Sequence, residues 1–265
     1  MGYTDTLGLA AGDVVSIVGS GGKTSLLWRL AKENRARGVL VSTTTKMWMP
    51  EAEAFDRDVS GDGCRGAQCA LAGVHSALQH CGTLWTASPT GGRTLCAPTG
   101  VSLYYGAVED GKITAPDMER LFEMSADVGL TLLECDGAKE RPLKGWAMHE
   151  PVVPAFTTVT IGVLPLWVIG QRVCAETVHR VPEFCRITGA APGDTVTLRH
   201  LVCIVNHPDG LFAKARGRKL LFLNNLENLK IEGEESDFLT LSTLLEVPKR
   251  TFLGDIHRGT IEVLL

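Results

Sequence analysis

Short apolar runs alternate with amphipathic stretches through the first part of the chain. Val14 to Val18 is a short, mostly apolar run of strand length, Ser25 to Arg37 follows with helical spacing, and after Gly38 a second run covers Val39 to Thr43. This β-α-β opening predicts a parallel sheet, because parallel neighbours need a crossover between them. Strands are further predicted at Thr83–Thr86 and Gly100–Tyr105, a helix at Pro116–Met124, and a strand at Gly129–Leu133 that runs into Glu134-Cys135-Asp136-Gly137. Beyond Pro151, the pattern predicts strands at Thr158–Val163, His200–Val205, Lys219–Leu223 and Thr260–Leu265. From Pro50 to about Gly82 the composition turns to Asp, Gly, Cys and Ala, with one short helical pattern at Val74–His80. Residues 50–82 therefore read as a surface insertion in one doubly wound, mostly parallel α/β domain spanning 1–265.

The first predicted strand empties into Gly19-Ser20-Gly21-Gly22-Lys23-Thr24-Ser25, and a helix follows at once. Glycines in such a turn let successive backbone N–H groups face an anion. Lys23 can then reach terminal phosphates, Thr24 can hold Mg²⁺, and the helix dipole adds to the attraction. The usual pattern has another glycine at the position of Ile17, so the loop is a shortened G-x-G-G-K-T form. These features give the expected fold its type, a P-loop NTPase with insertions, and its cofactors, Mg²⁺ with ATP or GTP.

Composition narrows the partners. With 45% hydrophobic residues, 265 positions can build a full core, and 26 Lys+Arg against 30 Asp+Glu give a net charge of -4. That balance argues against a general nucleic-acid or anionic-membrane binder. The 8 cysteines form no C-x-x-C pair and read as reduced cytosolic thiols. Met1 to Asp13 lacks a secretory pattern, and no stretch of about 18 apolar residues is present, so a soluble cytoplasmic protein is expected.

Two further strand ends carry candidate chemistry. Glu134 and Asp136 lie two residues apart, so alternation puts both carboxylates on one strand face, where Asp136 could join Thr24 around Mg²⁺ and Glu134 could orient a nucleophile. A turn or helix cap after a core strand is the structural alternative for Asp136-Gly137. Lys139, Arg141 and Lys144 then offer cations for a polyanion or a solvated loop; Lys139 and Arg141 are the candidates for a catalytic role. Thr44, Thr45 and Lys46 leave the second strand with groups able to complete a Mg²⁺ shell or hold a phosphate, although Thr is also an ordinary strand residue. Asn224-Asn225-Leu226-Glu227 stands where a guanine-reading protein carries N-K-x-D, with Asn224 as the candidate nucleotide contact and no Lys beside it.

Together these motifs resemble the family of selenium-dependent hydroxylase accessory proteins (YqeC-like). The resemblance runs through the Gly19–Thr24 loop, Val41 to Met47, Glu134 to Lys139, Pro142-Leu143-Lys144, His149 to Pro154, Val178-His179-Arg180 and His207 to Phe212. Cys135 stands where Ala looks usual, and Val181 interrupts what would read His-Arg-Pro-Glu. The resemblance implies an NTP-binding accessory factor for maturing selenium-dependent molybdenum hydroxylases, whose partner is that client or its cofactor. The loop alone is also similar to the G-T-N-G-K-T loop of Mur ligases, which implies an ATP-dependent small-molecule ligase or kinase. A third reading is a module that holds a nucleotide or a molybdopterin dinucleotide without turnover.

Overall fold

The computed structural model describes residues 2–60, 99–225, 245 and 250–264. Its centre is β1 (Asp13–Gly19), an apolar run buried on both faces as expected of an interior parallel strand. On one side β1 pairs in parallel with β8 (Leu130–Glu134), followed by β2 (Val39–Thr43), β5 (Val101–Leu103) and β4 (Arg57–Asp58). On the other side come β10 (Val159–Pro165), β12 (Arg218–Asn224), β13 (Arg250–Asp255) and β14 (Thr260–Val263). The result is a 9-stranded sheet, parallel except at the β13–β14 edge. The order reverses at β1, where the chain leaves toward β2 on one side and β10 lies on the other. In open α/β sheets, ligands bind at such a switch point, beyond the carboxyl ends of the strands.

Helices cover both faces. On one, α1 (Tyr3–Leu7) and α2 (Lys23–Glu33) pack Leu7, Leu26, Leu27 and Leu30 onto Val15, Ile17, Val41, Leu132 and Phe222. On the other, α3 (Met118–Ser125), α4 (Val181–Thr188) and α5 (Leu198–Asn206) supply Leu121, Phe184, Leu201 and Ile204 against Val14, Val18, Leu133 and Leu221. Successive residues of β1 fall in opposite cores, which is the two-residue alternation of a strand.

Three short strands, β3 (Met47–Trp48), β6 (Val108–Glu109) and β7 (Lys112–Ile113), form a small antiparallel sheet beyond the end of β2. Another pair, β9 (Leu143–Lys144) and β11 (Val178–His179), aligns Lys144 with His179.

The strand expected at His200–Val205 is instead part of α5. Its buried residues Leu201, Val202, Ile204 and Val205 follow helical spacing, and Thr197 and His200 close a capping box at its start. A short apolar run does not distinguish a buried strand from a buried helix segment, and here the cap decides. The helix expected through Arg37 ends at Glu33, with a separate 3-10 turn at Arg35–Arg37. Helix α4 and strand β13 have no counterpart among the predicted elements. The helix predicted at Val74–His80, the strand at Thr83–Thr86 and Glu227 lie outside the described residues, as does most of the 50–82 segment.

Candidate functional site

The loop after β1 is forced into its path by its glycines. Gly19, Gly21 and Gly22 have φ of 104°, 67° and 137°, a region that L side chains rarely adopt. A Cβ on Gly21 would lie 2.3 Å from the Pro165 ring, and one on Gly22 would lie 2.6 Å from Asn224 Nδ2. Asn224 holds the loop from outside: its Nδ2 donates to Gly21 O at 2.9 Å, while its Oδ1 accepts from Ile256 N at 3.2 Å. Helix α2 begins at Lys23 with Gly22 as an N-cap that offers no side chain. Consequently the backbone N–H groups from Gly21 to Ser25 find no acceptor among the described residues, and the dipole of α2 points at the same spot. Ser20 Oγ is also buried without a partner.

Two carboxylates reach this loop from the end of β8, and they do different things. Glu134 Oε2 accepts from Thr24 Oγ1 at 2.7 Å. Asp136 is fully buried, accepts from Gly19 N at 3.1 and 3.0 Å and from Trp146 Nε1 at 3.1 Å, and pairs with Lys23 at 3.2 Å and Lys144 at 3.4 Å. Burial would raise its pKa, but Lys23, Lys144 and the Gly19 and Trp146 donors hold the carboxyl below its ordinary value. For Glu134 burial prevails over the pull of Lys23 and Thr24, and the carboxyl is pushed up. Burial works against the charge on Lys23, yet Asp136 and Glu134 keep its pKa above the ordinary value, and its Nζ donates to Gly19 O at 2.7 Å. Cys135, between the two acids, has its thiol pushed up to about 12 by burial, so it is no nucleophile at neutral pH.

The loop opens into a cavity of about 370 Å³. Gly21, Gly22, Lys23, Thr24, Ser25, Lys46, Glu134, Lys139 and Arg141 all line it. Gly19, Ser20, Thr44, Thr45, Asp136 and Asn224 do not. Thr44 Oγ1 donates to Val152 O at 2.7 Å, Thr45 Oγ1 is buried without a partner, and Lys46 pairs with Glu109 at 2.6 Å. The cation expected at Lys144 on the phosphate edge is a correction: Lys144 is fully buried and donates to Gly137 O at 2.7 Å. It also pairs with Glu150 at 3.1 Å. Two indoles that the sequence did not single out complete the cavity wall, Trp48 and Trp167, which are 52% and 39% exposed. Trp48 donates to Glu140 Oε1 at 2.7 Å and lies under Lys112 Nζ, 4.3 Å from the ring centre. No periodicity marks either residue; only a large apolar group left exposed beside a polar loop would have found them.

Fold and loop together place the molecule among α/β proteins that carry a glycine-rich strand–loop–helix at the switch point of a mostly parallel sheet. The chain belongs to the YqeC family: residues 15–182 match the family model described as YqeC protein. It is 31% identical over 253 residues to a protein of Escherichia coli (strain K12) named "Uncharacterized protein YqeC", covering 92% of this chain and 88% of that relative. No solved structure matches. Among the described residues no helix is long and apolar enough to cross a membrane, and no group of three or more His, Cys, Asp or Glu is placed to hold a metal ion.

Proposed function

We propose that the chain is a P-loop type protein that binds a Mg²⁺–nucleoside triphosphate, ATP or GTP, on the Gly19–Ser25 loop. The reading extends to an NTP-hydrolysing accessory factor that acts in the cytoplasm on selenium-dependent molybdenum hydroxylases or their cofactor. The nucleotide part is carried by the run of N–H groups from Gly21 to Ser25 that lack acceptors, with Lys23 beside them and Thr24 at the same helix end. The client part rests on the family resemblance.

Glu134 takes the metal side in this reading, with Thr24, because the two already touch and both line the cavity. Asp136 is assigned a positioning part: its oxygens are occupied by Gly19, Trp146 and two lysines, which fixes Lys23 and the loop entrance. A bound Mg²⁺ supplies charge neutralisation at phosphate oxygens. It commonly takes only one or two carboxylates alongside phosphates and water, so Thr24 and Glu134 fit it without a larger cage.

Lys23→Ala is expected to weaken Mg²⁺-ATP or Mg²⁺-GTP binding by at least about tenfold, or roughly 1.4 kcal/mol. Thr24→Ala, which leaves the Lys23–Asp136 pair intact, should reduce the Mg²⁺ dependence of binding. Calorimetric titration of both folded variants is the check, and wild-type affinity in both would sink the loop assignment.

The cavity extends past Glu134 to Trp48 and Arg141, which favours a second reading, a ligase or kinase acting on a small acceptor. Phosphate release that requires an added acceptor would select it, and slow acceptor-independent release would select the hydrolysing accessory factor. Tight binding with no release would select a non-hydrolysing nucleotide module.

A further inference from the structure

A second cavity, of about 560 Å³, adjoins the first. Lys139 and Arg141 line both, and His179, Arg180 and the start of α4 at Val181 and Pro182 close the far side. The pairing of β9 with β11 brings these segments together.

One of its cations, Arg180, is held in place. Arg180 pairs with Glu150, Glu150 with Lys144 at 3.1 Å, Lys144 with Asp136 at 3.4 Å, and Asp136 with Lys23 at 3.2 Å. A largely buried string of alternating charge thus runs from the glycine loop to the second cavity. Lys139, Glu140 and Arg180 have φ of 47°, 61° and 63°, left-handed values that non-glycine residues keep only where their surroundings impose them. Lys139 and Arg141 are exposed, and their side chains make no hydrogen bond or ion pair among the described residues. Glu150 is committed to Lys144 and Arg180, and Glu176 is the exposed carboxylate within the field of Arg141. Burial and the charges of Arg180 and Lys144 keep the His179 pKa low, so a neutral imidazole can donate or accept there. Positive charge is in excess, and guanidinium groups suit oxyanions.

We propose that this second cavity binds a small multiply charged oxyanion, a phosphate- or carboxylate-bearing molecule, beside the terminal-phosphate end of the nucleotide site. This rests on the nucleotide reading only for its description of the neighbouring cavity.

The test is calorimetric titration of the full chain, saturated with ADP in the absence of divalent metal, with inorganic pyrophosphate and separately with citrate. Two variants, Pro182→Glu and Ala175→Glu, place a carboxylate at exposed positions that line only the second cavity. The expected result is one site for at least one probe on wild type, weakened at least tenfold in both folded variants, with ADP affinity changed less than threefold. Pyrophosphate alone would mark a phosphate site, and citrate alone a carboxylate site. Binding of neither probe, or equal binding to wild type and variants, overturns the proposal. Should metal-free ADP fail to bind, the same titrations on the ligand-free chain decide the oxyanion site; the nucleotide reading falls only if Mg²⁺-ATP and Mg²⁺-GTP also fail to bind.

Discussion

Lys144 and Lys139 are separated by a single turn of loop, yet they live in opposite physical worlds. Lys144 lies in the interior, surrounded by Asp136, Glu150, the Gly137 carbonyl and the face of Trp146, whose ring centre is 5.6 Å from Nζ. Lys139, like Arg141, stands exposed at the mouth of two cavities, its side chain in no hydrogen bond or ion pair among the described residues. A buried cation must be compensated by its own chain, so its neighbours are consumed by it. An exposed cation needs no such partner and stays available to a ligand. The difference separates buried, compensated charge from exposed charge within one loop.

The strongest blow to that contrast would be a harmless Lys144 substitution. Lys144→Ala removes a central partner of two buried carboxylates and should cost about 3 kcal/mol, a fall in Tm on the order of 8 °C by thermal unfolding. Trp146→Phe keeps the ring's packing but removes the donor to Asp136, so a smaller loss of about 1 to 2 kcal/mol is expected from denaturant titration. Lys139→Glu and Arg141→Glu should leave the melting curve within about 2 °C of wild type. They should slow nucleotide turnover more than they weaken nucleotide binding. Unchanged kinetics in those folded variants would return this arm of the loop to ordinary solvated surface.

How much of this was legible before the structure depends on whether the signal was local. The β1–loop–α2 unit shows in the sequence because a strand, its glycines and the following helix are contiguous, and β2 and β8 show as plain apolar runs. Thr24, Glu134 and Asp136 were each readable as candidates from their chemistry at strand or helix ends, but the sequence paired Thr24 with Asp136, whereas in the structure Thr24 donates to Glu134. The difference in surroundings between Glu134 and Asp136 was not readable. It follows from Gly19, Lys23, Lys144 and Trp146 closing around Asp136, and those contacts depend on tertiary packing rather than spacing. The same is true of α5, whose β-rich composition gave way to its cap and to the helical spacing of its buried face.

Counting along the buried string gives it a surplus. Lys23, Lys144 and Arg180 oppose Asp136 and Glu150, so three positive charges meet two negative ones and a single positive charge is left over. Glu134, whose field also reaches Lys23, offsets that surplus when it is ionised. The proposed binding of two anions at once would therefore draw on Lys139 and Arg141, which stand outside the string and are shared by both cavities. On the proposed reading, the loop's exposed arm would set how many guests the molecule can hold, while its buried end would set where they sit.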